Sequence, residues 1–441
     1  MASKVTKPSL IKSVSQRGYA AAAAAQQSYA LPVQEHQVTT LPSGTVVASL
    51  ENNAPVSKVA LFFKAGSRFE TPATLGASHM ARLCAGTSTK QFSAFHITRA
   101  LQQNGGGLAA EGGREHVGYV VDINRDHLDE GLGLLTAVGT GPVFKPWEVA
   151  GQTGRLKAEI ASLDSSAVVL DLLHSAAFRG QGLGNSIYVP SHKVGGVSQA
   201  ALLEFAAATH TAGGMAIVGL GVEHDALISY AKGLGISGGA AAATGGYGGA
   251  EIRHETGGPI TTVAVAGEGG SIGSGAAAAV AQYILGTGPS TKYGGNASSK
   301  LAGVVAAAGG AGAASAISAS YSDSGLLGYF VVAESAAAGS IVSAVHDAVK
   351  NLAVTEADVA AAKLKLKAAI LMASESQTET VLDMGLQALL TGGYAAPAAT
   401  TAAVDAVTVA DVEAALGKAF GGKLSMAAVG SLSGLPYLDQ L

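Results

Sequence analysis

The sequence predicts an α+β protein of two homologous domains, each a mainly antiparallel sheet with helices packed on one face. Three observations lead there. Short runs rich in Val, Ile and Phe alternate with longer stretches of helical spacing along the 441 residues. Three segments of the first half recur in the second half in the same order. Hydrophobic residues make up 48% of the chain and charged residues 13%, enough to fill more than one core and too apolar for disorder.

Taken in order, Met1 to Gln34 contains no acidic residue, while Lys4, Lys7, Lys12 and Arg17 recur among Ser and apolar positions. That is the pattern of a mitochondrial transit peptide, and Lys12 and Ser13 interrupt the apolar core that a secretory signal needs. Residues 1–19 are read as the leader, with cleavage after Tyr19 in Arg17-Gly18-Tyr19-Ala20. A first domain is expected over 38–232. Its strands include Thr45 to Leu50, Val56 to Phe63 and Val117 to Ile123, the second of these turning at Gly66-Ser67. Its helices are expected at Gly76 to Ala85, Ser93 to Asn104, Asp126 to Thr140 and Lys145 to Ser162, with Asp126 and Pro146 as start signals. The Gly- and Ala-dominated stretch 233–249 is the expected linker, and 250–441 the second domain.

The repeat is visible segment by segment. The run Val56 to Ser67 matches Ile260 to Val265 with its close at Gly270-Ser271. Gly118-Tyr119-Val120-Val121 matches Gly328-Tyr329-Phe330-Val331. Leu156-Lys157-Ala158-Glu159-Ile160 matches Leu366-Lys367-Ala368-Ala369-Ile370. The offset is nearly constant, which chance similarity between Ala-rich stretches does not produce.

Several function classes are excluded. A net charge of −4 without a basic face leaves no nucleic-acid footprint. The single cysteine, Cys84, rules out an internal disulfide framework and is expected to be a small buried hydrophobe. The uncharged stretches from Glu268 to Lys292 and from Lys300 to Asp323 are long enough to span a bilayer, but they are mostly Ala, Gly and Ser and are read as elements of the second domain. Gly105-Gly106-Gly107 and Gly286-Thr287-Gly288 lack the Lys-Ser/Thr continuation of a phosphate loop and are read as turns. His96, His116 and His174 have no ligand spacing with a partner, and no Cys/His pattern suggests an electron carrier, so no cofactor is expected.

The segment Gly76-Ala77-Ser78-His79-Met80-Ala81-Arg82-Leu83 carries the sharpest signal. With Glu159 and with Tyr321-Ser322-Asp323-Ser324-Gly325-Leu326-Leu327-Gly328, it resembles the zinc processing peptidase (pitrilysin-like) family, which includes the core proteins of mitochondrial complex III. The resemblance covers the chain after Val38. In the peptidases an inverted motif, His-x-x-Glu-His, supplies two zinc ligands and a general base from one helix, and a distal glutamate completes the site. Laid over this sequence, His79 matches the first ligand, Arg82 stands at the base, Leu83 stands at the second histidine, and Glu159 matches the distal glutamate. A catalytic zinc takes three protein ligands and a water, and two are left. Arg82 does not deprotonate and cannot act as a base. The site is therefore expected to be degenerate, with no catalytic residue and no metal; an Arg82–Glu159 ion pair is one account of what fills it, with His79 an ordinary helix histidine. The tyrosine-led segment reads locally as a tight turn from Asp323 to Gly325.

Gly184-Asn185-Ser186-Ile187-Tyr188-Val189-Pro190, Gly294 to Ser299, and the carboxyl end from Ser425 to Leu441 are similar to the core-protein branch. That resemblance implies a non-catalytic structural subunit of ubiquinol–cytochrome c reductase on the matrix side of the mitochondrial inner membrane. It implies pairing with core protein one, assembly with cytochrome b, cytochrome c1 and the Rieske protein, and membrane attachment only through partners. The alternative is a non-catalytic presequence-binding subunit of a processing peptidase, whose glycine-rich loop Lys292-Tyr293-Gly294-Gly295-Asn296 resembles only loosely. Many positions that are bulky or charged in the family are Ala or Gly here, as at Ala240 to Ala243 and Ala276 to Ala279, so residue-by-residue contacts are not carried over.

Overall fold

A computed structural model describes residues 35–240, 245–288 and 299–441. The leader expected at 1–19, the loop at 292–296 and most of the segment 294–299 lie outside the described residues. The first half runs β1 (His36–Thr40), β2 (Val46–Leu50), β3 (Val56–Phe63), α1 (Ala77–Leu83), α2 (Ala94–Gln103), β4 (Gly107–Gly112), β5 (Val117–Asn124), α3 (Leu128–Thr140), α4 (Pro146–Ala161), α5 (Ser165–Ala177), α6 (Gln199–Thr209), β6 (Met215–Leu220) and α7 (His224–Gly233). The second half runs β7 (Glu251–Glu255), β8 (Ile260–Glu268), α8 (Gly275–Leu285), α9 (Lys300–Ala307), β9 (Gly312–Ser320), β10 (Gly325–Glu334), α10 (Ala338–Lys350), α11 (Glu356–Ser374), α12 (Gln377–Thr391), α13 (Pro397–Ala406), α14 (Val409–Gly421) and β11 (Ser425–Gly430).

The two sheets repeat one topology. The first is ordered β1-β2-β6-β3-β5-β4 and the second β7-β11-β8-β10-β9. Each has one parallel pair, β2 with β6 and β7 with β11, and is otherwise antiparallel. The sequence matches fall on equivalent elements: β3 with β8, β5 with β10, and α4 with α11. The fold is thus the α+β pair of homologous units expected from the sequence.

Local chemistry accounts for the helix ends. Ser93, Asp164 and Ser198 accept a backbone N–H at the starts of α2, α5 and α6, and Thr355 and Thr408 form capping boxes with Asp358 and Asp411. Pro146 opens α4, where its missing N–H costs nothing. Asp126 does not cap α3. A tight 3-10 turn, Arg125–His127, comes first, and the helix starts at Leu128. The two Ala/Gly-rich stretches tested as spans form α8, α9 and β9, and Val280, Ala281, Leu285, Leu301 and Ala314 are buried in the second-half core. No single helix among the described residues is long and apolar enough to cross a membrane.

Each half's own helices cover one sheet face, and the other half covers the second. Along β3, Val59, Leu61 and Phe63 point into the first-half core, while Ala60 and Phe62 face the opposite way. There they meet Val381, Met384, Ala388 and Leu389 of α12, a helix from the second half. Reciprocally, α5 of the first half lays Val169, Leu173 and Ala177 on Ala264, Ala266, Ala427 and Val429 of the second sheet. Small residues on these faces, such as Ala48, Ala60 and Ala216, let the foreign helix approach closely. At one contact a glycine is required: a Cβ on Gly385 of α12 would lie 2.1 Å from the Phe62 ring.

This contact yields a stability prediction. Gly385→Val is expected to cost roughly 1–3 kcal/mol in urea unfolding through overpacking. Gly133→Ala in α3, where an added methyl meets nothing within 4 Å, is expected to be neutral or stabilising by up to about 1 kcal/mol. Equal effects at the two positions would show that α12 does not lie on Phe62.

Candidate functional site

The loop from β3 to α1 builds the site from below. Its Glu70 carboxylate accepts the backbone N–H of Gly76 (2.8 Å) and of Ser78 (2.8 Å) and the Ser78 hydroxyl (2.6 Å). These are donors that the first turn of α1 leaves without helical partners. Burial pushes the Glu70 carboxyl above its ordinary range, against these three hydrogen bonds. Anchored in this way, α1 presents its side chains toward α4.

His79 is buried, at 3% exposure. Its Nδ1 accepts the backbone N–H of Val189 at 3.1 Å. A ring nitrogen that accepts carries no proton, so this bond assigns the neutral tautomer with hydrogen on Nε2. Nε2 makes no hydrogen bond and lies 3.6 Å from Glu159 Oε2. Burial, reinforced by the Arg82 charge and opposed by Glu159, holds the His79 pKa below its ordinary value. The Tyr188 ring meets the imidazole edge-on at 5.8 Å, and burial raises the Tyr188 hydroxyl pKa.

Arg82 donates to Glu159 Oε1 in a direct ion pair. Desolvation alone would raise the Glu159 pKa, but the hydrogen bond and charge of Arg82, with a smaller contribution from His79, leave it lowered. His79, Arg82, Glu111, Glu159 and Tyr188 surround a chamber of about 150 Å³. Leu83 does not reach it. Leu83 is 3% exposed in the first-half core and lines the groove between α2 and α4 with Ile97 and Leu101.

This donor set does not fit a catalytic zinc ion. His79 and Glu159 are two ligands where three are needed, and the imidazole nitrogen facing the chamber carries its proton. The guanidinium already occupies Glu159, and beside a dication it costs roughly 4 kcal/mol per unit charge at about 4 Å and an effective dielectric of about 20. Among the described residues no three His, Cys, Asp or Glu side chains are grouped to hold a metal. Cys84 is buried, with its thiol pushed up to about 12 by burial and the nearby Glu148, which leaves it inert.

Sequence reasoning placed His79, Arg82 and Glu159 together and missed what surrounds them. The Val189 donor and the Tyr188 ring come from the Gly184–Pro190 segment. The turn at Tyr321–Ser324 does more than reverse the chain. Arg68, 2% exposed, donates to Glu115 Oε1 (2.6 Å) and, in a fork, to Asp323 Oδ1 (2.8 Å) and Oδ2 (2.5 Å). Glu115 accepts the Ser322 backbone N–H at 3.0 Å and its hydroxyl at 2.5 Å. Beside this clasp, the Tyr321 hydroxyl meets His174 Nε2 at 2.7 Å, while His174 Nδ1 donates to the Leu170 carbonyl. Buried Arg114 holds Asp171 (2.6 Å) and the Asn185 carbonyl (2.5 Å). The clasp thus ties the loop under α1 to the second half.

Residues 46–191 match the family model described as Insulinase (Peptidase family M16). The mitochondrial cytochrome b-c1 complex subunit 2 of Rattus norvegicus is 40% identical, with 93% of each chain covered. The protein of the same name from Homo sapiens is 39% identical, with 92% of each covered. The mitochondrial-processing peptidase subunit alpha of Solanum tuberosum is 31% identical over 91% of this chain and 83% of that one.

Two predictions follow from this geometry. Because the fold depresses the Glu159 pKa, its stabilisation is present above the ordinary value of 4.5 and is lost as pH falls through the lower folded value. Arg82→Met is therefore expected to lose less stability than the unsubstituted chain between about pH 5 and pH 3, read as urea midpoints; an unchanged acid limb would count against the pair. Arg68→Met strands the Glu115 carboxylate, 5% exposed, and is expected to cost about 3–5 kcal/mol. Asp323→Asn, at a carboxylate 54% exposed, is expected to cost about 1 kcal/mol or less.

Proposed function

The chain belongs to the insulinase (M16) peptidase family, on the side of its cytochrome b-c1 complex subunit 2 members, and from that membership we propose that it is a non-catalytic structural subunit of the mitochondrial ubiquinol–cytochrome c reductase complex. The relatives bearing that name match over nearly the whole chain at 39–40% identity, above the 31% of the processing-peptidase subunit. The chamber carries the non-catalytic half of the reading. Arg82 stands where a peptidase needs a proton acceptor and ties up the Glu159 carboxylate, and the buried imidazole presents a donor where a metal needs a lone pair. What the residues do instead is structural: the ion pair joins α1 to α4, and the Val189 bond joins α1 to the Gly184–Pro190 segment.

The finer assignment is part of the same proposal. The chain pairs with core protein one and contacts cytochrome b, cytochrome c1 and the Rieske protein from the matrix side of the inner membrane. It contributes protein surface and no cofactor. Its proposed division is a domain at 38–232, a linker at 233–249 and a second domain at 250–441. Presequence binding is the second reading, favoured only by the weaker likeness to the processing-peptidase subunit.

Native-mass separation of gently solubilised inner membranes is the direct test. The chain is expected to migrate with complex III at a constant ratio to cytochrome b. The purified chain is expected to hold no stoichiometric zinc and to leave a presequence peptide uncut. A chain running wholly apart from the complex, or cleaving the peptide with one bound zinc, would overturn the proposal.

A further inference from the structure

Large exposed hydrophobic side chains concentrate on one face of one helix. On α11, Leu364 is 66%, Leu371 50% and Met372 69% exposed. Ala357, Ala361 and Ala368 are exposed with them, and at about 100° per residue the six share one side. The opposite side is spent on the second-half core, where Val359, Ala362 and Leu366 are buried. The helix therefore has two apolar faces, and only one is covered by the described residues.

The fold does not demand the second face. In the register that sets Leu156–Ile160 on Leu366–Ile370, the equivalent positions of α4 are Gly154 and Ala161, where α11 has Leu364 and Leu371. The same helix in the same architecture thus does without those side chains. Lysines border the stripe on both edges, Lys365 on one and Lys363 and Lys367 on the other. Lys367 pairs with Asp405 at 2.7 Å and Lys363 donates to the Asp405 carbonyl at 2.9 Å. Lys365 enters none of the ion pairs formed among the described residues.

We propose that this face of α11 docks an α-helix of a neighbouring subunit, one with apolar residues at seven-residue spacing and Asp or Glu beside them. Ala357, Leu364 and Leu371 repeat every seven residues, the spacing at which two helices stay in contact along their length. The alanines between them permit the 8–10 Å approach of packed helices. Lys365 supplies a charge that an acidic flank satisfies. A lipid surface fits less well: the stripe has no aromatic anchor, and Asp405 already engages two of its three lysines.

This inference rests on the subunit reading, and its test separates the two. In the assembled complex, a photo-reactive phenylalanine analogue at Leu371 is expected to cross-link to a polypeptide segment of the stated pattern. Lys365→Glu is expected to lower that yield several-fold. Cross-links to lipid, to a second copy of this chain, or to nothing would overturn the proposal, and so would a yield indifferent to Lys365→Glu. In a second arm, Leu364→Asp/Leu371→Asp is expected to leave the urea midpoint of the isolated chain unchanged and to reduce its share in the complex about tenfold. Normal migration of that variant would sink the docking face alone, whereas failure of the unsubstituted chain to migrate would sink the subunit reading beneath it.

Discussion

The exchange of α5 and α12 between the halves constrains everything else in this molecule. A sheet face built from Ala48, Ala60, Phe62, Ala216 and Val218 is apolar, and in water it would be an exposed patch of the kind single domains avoid. Among the described residues no helix of the first half lies on it; α12 of the second half does, and α5 lies on the second sheet in return. Each sheet is therefore completed by the other's helix, and the Arg68–Glu115–Asp323 clasp sits between the same two halves. Buried charge of this sort adds little net energy when whole and costs much when broken, so the clasp selects one arrangement of the halves more than it strengthens it.

That arrangement bears on the chamber beneath α1. The turn that carries Arg68 continues into Glu70, whose carboxylate holds the first turn of the helix bearing His79. The Asn185 side chain reaches the Ser67 carbonyl at 2.9 Å, and a few residues on the same segment supplies the Val189 donor. Clasp and chamber are thus linked through one loop, held by the Glu70 and Asn185 hydrogen bonds. The Arg82–Glu159 pair joins α1 to α4 without any requirement for an ion. The chamber then serves the stability of the scaffold, the one task that a subunit acting through its surfaces asks of it.

Duplication makes the differences between the halves informative. The strand order and senses of the first sheet recur in the second, yet α8, which follows β8 as α1 follows β3, is a run of alanines with neither histidine nor acid. The chamber of imidazole, guanidinium and carboxylate lies in the first half, and the exposed apolar stripe of α11 in the second. Two copies of one unit thus differ in use, with an ion-paired interior in one and an exposed apolar helix face in the other.

Much of this was legible in the amino-acid order. Period and turn residues mark β2, β3, β5, β8 and β10 and the helices α1 to α4, because Ser93, Pro146 and the Gly66 turn act within a few residues of themselves; the other strands and most of the later helices are not singled out in this way. The family resemblance set His79 and Arg82 on one helix and matched Glu159, in a second helical stretch, to the distal glutamate. The run Val59 to Phe63 was also a signal, since an unbroken apolar strand is one buried on both faces, but nothing local names the helix that covers it. The tautomer of His79, the burial of Leu83 away from the chamber and the partners of Asp323 depend on groups more than a hundred residues distant in the chain or on which way a short helix turns. Local preference is written residue by residue; the choice of which half closes which sheet was made only when both were folded, because each face finds its complement in the other.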